Sequence, residues 1–262
     1  MMTTEQAASR IEIDGQSPTP EQLTAAALDS YGHFTAMQVR NHRVRGLALH
    51  LARLTSAHRE LFGADLDDQV VAERVRHALR GTAGDASVRV YLRHLEDQPS
   101  VMVTVRPPGG MPAGPWRLQA VPYQRSVAHV KHLGDFGQGY FQRLAWRAGF
   151  DEALLTGANG VISEGSITNV GFLDGTSVVW PDAPMLAGIT MQVLTARIGQ
   201  LGLTSRRAEV RLADVQSFDG VFVTNARGIA AVASIDENAL PVATDQMARL
   251  MAAYDSADWD RI

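Results

Sequence analysis

Two residues of the sequence have the types and settings that covalent carbonyl chemistry requires. Lys131 follows an alternating apolar run and precedes a Gly-Asp break, so the pattern predicts that it lies at the end of a strand. A partly apolar strand end disfavours the charged amine, and a neutral lysine amine is a nucleophile suited to forming a Schiff base. Glu164 lies further along, between an extended segment and a second apolar strand. We predict that Lys131 is the nucleophile and that Glu164 is its electronic partner.

Further features supply groups that can bind an anion. The segment from Gly188 begins a helix, whose first N–H groups and a threonine hydroxyl can bind a phosphate, and Thr224 opens a second polar loop. An arginine on an amphipathic helix can reach a phosphate with a fork of donors. Each feature alone is common, because Gly and Thr begin many helices and such an arginine is more often a snorkelling surface residue. The phosphate-binding candidates are Arg53, Gly188, Ile189, Thr190, Thr224 and Asn225.

Together, these residues match the parts of one cofactor. A lysine suits an aldehyde, an acid suits a ring nitrogen, and helix ends with an arginine suit a phosphate. This combination indicates pyridoxal 5'-phosphate. Because either Lys131 or Glu164 alone would more often be an ordinary solvated charge, the inference depends on the whole set.

The composition excludes several other classes of protein. The 262 residues carry a formal net charge of −4, which gives no electrostatic case for nucleic acid as a partner. The eight histidines lack metal-type pairing and there are no cysteines, so we expect no bound metal and no disulfide. No apolar run is long enough to cross a membrane, and Met1–Arg10 lacks the apolar core of a signal peptide. We therefore expect a cytoplasmic protein without a membrane partner.

Apolar periodicity predicts the elements that hold these residues. In the first half, Thr19 and Gln22 form a capping box before a helix. The predicted elements are a strand at Ile11–Gly15, helix Glu21–Ser30, strand His33–Val39, a helix over Leu47–Leu61 that Gly63 ends, helix Asp67–Arg80, and the hairpin strands Ser87–Arg93 and Ser100–Arg106. The Pro- and Gly-rich residues 107–115 predict an interdomain linker. We expect a small α/β domain over residues 1–106 and a larger domain over residues 116–262.

The second half reads as short strands with a few helices. Asn159-Gly160 and Asp174-Gly175 are strong hairpin signals. The predicted elements are strand Trp116–Tyr123, helix Phe136–Ala148, a helix from Gly188 to about Leu201, strands Asp219–Thr224 and Ile229–Ile235, and a last helix from Gln246 to the C-terminus.

The order and spacing of these motifs resemble one known family over nearly the whole chain. The motifs are His50-Leu51-Ala52-Arg53-Leu54, Val130-Lys131-His132-Leu133, Asp151-Glu152-Ala153-Leu154, Ser163-Glu164-Gly165-Ser166 through Asn169, Gly188-Ile189-Thr190, and Thr224-Asn225. The chain is similar to the fold-type IV pyridoxal-phosphate enzymes, also called the class IV aminotransferase superfamily. That superfamily contains branched-chain and D-amino-acid aminotransferases, R-selective amine transaminases and 4-amino-4-deoxychorismate lyases.

The resemblance implies a fold and a role for each matching residue. Lys131 resembles the lysine that forms the Schiff base and moves a proton between the substrate Cα and the cofactor C4′. Glu164 resembles the acid that keeps the pyridine nitrogen protonated. The loop beside the ring matches Ser166, Thr168 and Asn169. The implied fold is α+β with two domains, a small α/β sandwich and a larger β pseudo-barrel domain with flanking helices, with the site between them. Family members are usually homodimers.

Departures from the family pattern lie on the substrate side. The glycine-rich lead-in before Phe34 is shortened, and Phe136 stands where branched-chain aminotransferases carry a tyrosine. Arg93 and His94 invite comparison with the carboxylate-binding Arg and His of D-amino-acid aminotransferases, but neighbours on one strand point to opposite faces. The substrate-side candidates are Tyr31, Phe34, Thr35, Arg93 and Phe136.

Two reactions and one non-catalytic role follow from these patterns. Some motifs resemble those of the lyases, namely Phe34-Thr35, Lys131-His132-Leu133 and Asn225-Ala226. Others resemble those of the transaminases, namely Glu164-Gly165-Ser166 and Gly188-Ile189-Thr190. The favoured prediction is amino-group transfer from a small-molecule amino acid or amine to a 2-oxo acid. The second is a 4-amino-4-deoxychorismate lyase that releases pyruvate and 4-aminobenzoate. The third is a cofactor-binding protein that has lost catalysis.

Overall fold

The structure of the protein is a computed structural model that describes residues 10–95 and 98–262. The chain divides into two compact units. The first comprises Met1–Gly109, Val130–Gly134 and Asp258–Ile262, and the second comprises Gly110–His129 and Asp135–Ala257. In the described ranges, no helix is both long enough and apolar enough to cross a membrane. The predicted limits of the two domains stay a prediction, and Met1–Ser9 and part of the loop between the hairpin strands lie outside the described residues.

The first unit combines an antiparallel sheet with helices. In chain order its elements are β1 (Arg10–Ile13), α1 (Pro20–Leu28), β2 (His33–Val39), β3 (Arg43–Val44), α2 (Leu47–Phe62), α3 (Asp68–Ala78), β4 (Ala86–Leu95) and β5 (Gln98–Arg106). The order across the sheet is β1-β5-β4-β2. The helices and strands predicted for this half of the chain are therefore confirmed, with small shifts at their ends.

Local sequence explains where the helices of this unit begin and end. Gln22 N donates to Thr19 Oγ1 at 3.2 Å, and Thr19 N donates to Gln22 Oε1 at 2.9 Å, which confirms the predicted capping box. The helix α2 ends at Gly63, whose φ of 66° lies in the left-handed region that glycine adopts without strain. The residues of α2 that carry candidate functional groups therefore stand on a helix with a defined end.

The sheet of the first unit has one core face and one half-exposed face. Alternate residues of a strand point to opposite faces, so each strand contributes to both. Phe34 and Tyr91 lie on the half-exposed face, where their rings stack with centroids 5.5 Å apart. The core face of β2 and β4 carries His33, Thr35, Met37, Val39, Val88, Val90 and Leu92, all of which are buried.

One large mixed sheet forms the second unit. In chain order its elements are β6 (Trp116–Val121), α4 (Phe136–Arg147), β7 (Glu152–Thr156), β8 (Ile162–Gly165), β9 (Asn169–Asp174), β10 (Ser177–Pro181), α5 (Ile189–Arg197), β11 (Thr204–Ala208), β12 (Gly220–Asn225), β13 (Gly228–Ile235), β14 (Asn238–Ala239) and α6 (Thr244–Asp255). The order across the sheet is β11-β10-β9-β12-β13-β6-β7-β8, and β14 pairs with β13. The last strand of the chain, β15 (Asp260–Arg261), pairs with β3 of the first unit.

This large sheet curls until its two ends meet. The strands β8 and β11 stand at opposite ends of the strand order. Nevertheless, Ile162 N at the start of β8 donates to Val210 O, just after β11, at 2.8 Å, and Val161 forms an isolated bridge with Arg211. A sheet that closes on itself in this way buries its inner side chains and hides its edges. The predicted α+β fold with a pseudo-barrel is therefore confirmed.

The segment before Lys131 differs from its predicted conformation. Residues 126–129 form turns, and Val127 has a φ of 47°, so Lys131 does not lie at the end of a strand. The side chain of Arg125 donates to Ala128 O and bends the chain at this point. Because alternating apolar residues also occur in turns with alternately buried side chains, the pattern alone predicted a strand that does not form.

Three smaller differences complete the comparison. Glu164 lies inside β8 and not between two extended segments. The helix that begins after Gly188 ends at Arg197 and continues only as a 3₁₀ turn over Ile198–Leu201. The last helix ends at Asp255, because the final residues leave it to form β15. Both predicted hairpins are confirmed, since β7 pairs antiparallel with β8 and β9 with β10.

Candidate active site

Lys131 belongs to the first unit, where its main chain is tied to the start of β2. Phe34 N donates to Lys131 O at 2.9 Å, and Leu133 N donates to Gly32 O at 2.9 Å. The Nζ atom of Lys131 lies 4.7 Å from the centroid of the Phe34 ring. The face of an aromatic ring attracts a lysine ammonium, so this contact holds the side chain over the half-exposed face of the sheet.

Phe34 and Thr35 are adjacent in sequence, and their side chains have different surroundings. Phe34 lies beneath the Lys131 amine, whereas Thr35 is fully buried and its Oγ1 lies 2.7 Å from Nδ1 of His50 on α2. Burial, together with the nearby charge of Arg53, lowers the pKa of His50 to about 3. His50 is therefore neutral near pH 7, and the Thr35 hydroxyl is already engaged inside the unit.

The other substrate-side candidates of the first unit contact its own main chain. Arg93 Nη2 donates to Ala26 O at 2.9 Å and to Asp29 O at 3.2 Å, near the end of α1. His94 lies across the sheet from Arg93, with Nδ1 3.3 Å from a ring nitrogen of His58, which confirms that these neighbours point to opposite faces. The exposed side chain of Tyr31 reaches Leu61 O at 3.1 Å. The guanidinium of Arg93 is thus partly committed to helix carbonyls.

In the second unit, Glu164 is a buried and well-anchored carboxylate. Arg125 Nε donates to Glu164 Oε1 at 2.7 Å, and Leu186 N donates to Oε2 at 3.1 Å. Arg125 is itself buried, and its guanidinium also donates to Ala128 O. A buried ion pair is maintained only when its geometry and hydrogen bonds offset the loss of water, so these bonds fix the position of Glu164.

Asn169 anchors the same segment from the opposite side. Its Nδ2 donates to Leu186 O at 2.6 Å, so Leu186 is held through its N–H by Glu164 and through its carbonyl by Asn169. A Cβ atom at Gly188 would overlap Asn169 Oδ1, so the side chain of Asn169 lies directly against the start of α5. Glu164, Asn169 and the N-terminus of α5 therefore form one connected group.

The phosphate-binding candidates of the second unit meet at the start of α5. No side chain from the described residues caps this helix, so its first N–H groups, those after Gly188, are available to an anion. Thr190 Oγ1 donates to Asn225 O at 2.7 Å and ties the helix to the end of β12. Thr224 pairs with Asn169 across β12 and β9, and its buried hydroxyl has no hydrogen-bond partner among the described residues. An uncapped helix start beside an unpartnered buried hydroxyl fits a bound phosphate.

Phe136, Ser166 and Thr168 occupy less expected positions. The side chain of Phe136 is 84% exposed at the start of α4 in this single chain. Ser166 and Thr168 are buried, and their hydroxyl groups both donate to the carboxylate of Glu152. The loop they form is therefore defined by bonds within the unit.

Arg53, the remaining phosphate-binding candidate, is half-buried on α2 and lies in the first unit.

Sequence reasoning assigned no role to Arg125 or Glu152 and missed one property of Lys131. Nothing in the spacing distinguishes Arg125 from the other arginines of the chain. A signal for Glu152 did exist, because an acid that begins the apolar strand Glu-Ala-Leu-Leu-Thr is placed for burial. The signal for Lys131 was simpler, since it is the single lysine among the 24 basic residues of lysine and arginine type. Among these 262 residues, Lys131 is therefore the one side chain that can serve as a lysine nucleophile.

Comparison with known proteins agrees with these observations. The family model for class IV amino-transferases matches residues 32–235. The chain is 31% identical to a probable branched-chain-amino-acid aminotransferase of Rickettsia felis over 113 residues, which are 42% of this chain and 38% of that protein. This alignment therefore spans well under half of the relative's length.

Two solved structures show the same fold at low sequence identity. Branched-chain aminotransferase from the archaeon Thermoproteus uzoniensis, solved with norvaline, has a TM-score of 0.83 and 20% identity, with 95% of this chain and 94% of that chain covered. A candidate 4-amino-4-deoxychorismate lyase from Legionella pneumophila has a TM-score of 0.79 and 18% identity, with 89% and 93% covered. At these identities, the likeness is evidence for the fold alone.

The protein belongs to the class IV aminotransferase family, which its family model matches over most of the chain. Pyridoxal phosphate is the cofactor of this family. The second unit fits that cofactor, because it offers the buried carboxylate of Glu164 for a ring nitrogen. It also offers the uncapped start of α5 and the unpartnered hydroxyl of Thr224, among the described residues, for a phosphate.

Proposed function

We propose that this protein transfers an amino group from an amino acid or amine to a 2-oxo acid. The observation that carries the proposal is the connected group in the second unit, where Glu164 and Asn169 share Leu186 beside the uncapped start of α5. Such a group suits a ligand with a basic ring nitrogen at one end and a phosphate at the other. Membership of the class IV aminotransferase family supports the reaction type.

Each proposed role follows from the chemistry of the residue. When bound, pyridoxal phosphate supplies an aldehyde that takes up the amino group and a ring that withdraws electrons from the substrate Cα. Lys131 Nζ removes the proton from the substrate Cα and returns it at the cofactor C4′. Glu164 holds the proton at the pyridine nitrogen, and Arg53 adds a cation for the phosphate.

The remaining site residues have supporting roles in this proposal. The N–H groups of Ile189 and Thr190 and the Thr224 hydroxyl donate to the phosphate, with Gly188 and Asn225 shaping that end of the site. Asn169 fixes the start of α5, and Ser166 and Thr168 form the loop next to the ring. On the substrate side we propose Phe34, Tyr31, Thr35, Arg93 and Phe136. The ring of Phe34 lies next to the Lys131 amine, with 4.7 Å from its centroid to Nζ.

A 4-amino-4-deoxychorismate lyase is the second candidate. The sequence Phe34-Thr35 favours it, and the Legionella pneumophila protein shows that the same fold occurs in a candidate lyase. Thr35 is a weak basis for choosing between the reactions, because its hydroxyl lies 2.7 Å from His50 inside the first unit. Both reactions begin with the loss of the same proton from the substrate Cα, so Lys131 and Glu164 serve either one.

One experiment separates these candidates. Purified protein loaded with pyridoxal phosphate is treated with single enantiomers of amino donors, with and without a 2-oxo acid, and its absorbance and products are followed. Loss of the cofactor absorbance band on adding donor, with the band restored by a 2-oxo acid, supports amino transfer. Pyruvate release from aminodeoxychorismate without an acceptor supports the lyase. A band that no donor changes would overturn both, and would favour a binding protein without catalysis.

The single lysine makes the first step directly testable. Borohydride treatment of the loaded protein should fix the cofactor on one peptide, the peptide that contains Lys131. Lys131→Arg keeps the positive charge but has no amine that can form an imine, so this variant should show no fixed cofactor and no activity. A Lys131→Arg protein that keeps the absorbance band would refute the role of this residue.

We further propose that the protein is a cytoplasmic homodimer that uses α4 as part of its interface. Phe136, Tyr140 and Leu144 follow one another at helical spacing on α4 and are 84%, 50% and 36% exposed in the single chain. A stripe of exposed aromatic and apolar side chains is expensive to leave in water. Sedimentation should therefore give a dimer, and Tyr140→Glu should shift it toward monomer. A wild-type monomer at micromolar concentration would contradict the proposal.

A further inference from the structure

Glu152 is a buried carboxylate to which the proposed function assigns no role. It begins β7 and has no solvent exposure. Its carboxylate accepts hydrogen bonds from consecutive residues of one loop. Ser166 Oγ and Ile167 N donate to Oε1 at 3.1 and 2.7 Å, and Thr168 Oγ1 donates to Oε2 at 2.9 Å. One side chain therefore binds the whole turn between β8 and β9.

Keeping an acid at this position is costly, which argues that the bonds it makes are needed. The pKa of Glu152 is raised to about 7, because burial raises it by more than the bonds from Ile167, Thr168 and Ser166 and the charge of Arg227 lower it. A well-packed apolar residue would avoid that cost of burial. It could not, however, satisfy three donors that point to one place.

The neighbours of Glu152 complete the same clamp. Ser166 N donates to Ala153 O at 2.9 Å, and Ser166 O accepts from Gln138 Nε2 at 2.8 Å. The single hydroxyl hydrogen of Ser166 is shared between Glu152 Oε1 and Gln142 Oε1. Every polar group of Ser166 is thus engaged inside the unit. At Gly165 a Cβ atom would overlap Thr168 Oγ1 and lie 2.8 Å from Glu152 Oε1, so the loop fits closely around the carboxylate.

The loop that Glu152 clamps joins the two residues that hold Leu186. Glu164 precedes Gly165, and Asn169 follows Thr168. Glu164 accepts from Leu186 N at 3.1 Å, and Asn169 donates to Leu186 O at 2.6 Å. Movement of the loop would change the separation of these two side chains and shift the segment that leads into α5.

We propose that Glu152 is a positioning residue that sets the separation between the ring-nitrogen carboxylate of Glu164 and the phosphate-binding start of α5. It acts through the loop and does not touch the cofactor. In consequence, Ser166 and Thr168 serve as anchors of the loop, and their hydroxyl groups are donors to Glu152. This inference rests on the proposed function, because it assigns Glu164 and α5 to one bound cofactor.

Two variants test the inference against a matched control. Glu152→Ala removes the acceptor, whereas Glu152→Gln keeps one oxygen for Ile167 N and so should partly rescue the protein. The control is Glu209→Gln, which changes an exposed acid of the same unit that pairs with Arg211. The measurements are amide hydrogen exchange of residues 165–169 in cofactor-free protein, the Kd for pyridoxal phosphate, and kcat and KM at saturating cofactor.

In Glu152→Ala, the amide hydrogen of Ile167 should exchange at least tenfold faster than in wild type, and the Kd for pyridoxal phosphate should rise at least tenfold. Its kcat should fall while the KM for the amino donor stays within about twofold, because the substrate side of the site is unchanged. Glu152→Gln should lie between Glu152→Ala and wild type on each measure, and Glu209→Gln should match wild type. Should Glu152→Ala fail to fold, the graded change in Glu152→Gln carries the test.

Several outcomes would overturn the inference. Wild-type cofactor affinity in folded Glu152→Ala, or wild-type values on every measure in Glu152→Gln, would show that the loop holds its position without this carboxylate. A parallel rise in KM and fall in kcat would indicate general loosening and not positioning. Wild-type protein that fails to bind pyridoxal phosphate would instead overturn the proposed function. Hydrogen exchange is measured on cofactor-free protein, so it would still show whether Glu152 holds the loop in place.

Discussion

Replacing Thr224 with valine should have opposite effects on stability and on cofactor binding. The Thr224 hydroxyl is fully buried and has no partner among the residues that the structure describes. Burying an unpaired hydroxyl costs about 1–3 kcal/mol. Valine has nearly the same shape and suits a strand, so Thr224→Val should leave the stability of the cofactor-free protein unchanged or raise it by up to that amount.

The same change should weaken cofactor binding if the hydroxyl donates to the phosphate. A hydrogen bond to a charged group contributes about 1.5–3 kcal/mol, which corresponds to an increase in Kd of about 10- to 150-fold at 25 °C. Urea unfolding of cofactor-free protein measures the first effect, and absorbance titration with pyridoxal phosphate measures the second. Lower stability with unchanged affinity would refute the assignment of Thr224 to the phosphate.

Thr156→Val is the matched control for this experiment. Thr156 is also a buried strand threonine of the second unit, but its Oγ1 donates to Val121 O at 3.1 Å. Removing that bond should cost about 1 kcal/mol of stability and leave the cofactor Kd unchanged. The same substitution should therefore weaken cofactor binding without loss of stability at Thr224, and lower stability without a change in cofactor binding at Thr156.

Three further predictions concern charge and packing. Arg125→Gln leaves the buried Glu164 without its 2.7 Å partner, so the free energy of unfolding measured in urea should fall by about 3–5 kcal/mol. His50 has a folded pKa of about 3, below its unfolded value of 6.5, so the unfolded state takes up the proton first. The contribution of His50 to stability is therefore complete above pH 6.5 and is lost as the pH falls toward 3. Urea unfolding at different pH values should show the free energy of unfolding falling by up to about 1.4 kcal/mol per pH unit in this range, and His50→Gln should remove that pH dependence. Gly188→Ala places a Cβ against Asn169 Oδ1, which should displace that side chain and raise the cofactor Kd at least tenfold in absorbance titration.

Each of these predictions has its own control and contrary result. Adding Glu164→Gln to Arg125→Gln should recover much of the lost stability, because it removes the buried charge, and no recovery would point to packing. Equal pH slopes in wild-type and His50→Gln protein would show that other groups dominate acid unfolding. Gly199→Ala adds its Cβ where no atom lies within 4 Å, so this variant should bind the cofactor like wild type. Equal losses in both glycine variants would argue against a steric effect at Gly188.

The local features of the fold were predictable because they depend on neighbours in sequence. The capping box at Thr19 and the helix end at Gly63 each involve residues within one turn. The hairpins at Asn159-Gly160 and Asp174-Gly175 likewise follow from turn chemistry. The resemblance to the class IV aminotransferases supplied the pseudo-barrel, which no local pattern reveals.

The features that were missed depend on contacts between distant residues. The turn before Lys131 forms where the side chain of Arg125 donates a hydrogen bond to Ala128 O. The alternation of apolar residues in the sequence gives no information about such a bond. The strand β15 exists only because residues at the C-terminus pair with β3, more than 200 positions away. The pairing of Glu152 with the loop after β8 is of the same kind, since sequence alone does not say which donors surround an acid.

Having one lysine in the whole chain also gives this protein a built-in spectroscopic reporter. Protein grown with isotopically labelled lysine would carry the label at a single side chain and give one set of nuclear magnetic resonance signals. The Lys131 amine lies 4.7 Å from the centre of the Phe34 ring, so the ring current should displace those signals from their free-lysine positions. Departure of the side chain from the ring, as substrate or inhibitor enters, would be followed as a single moving peak without any chemical tag.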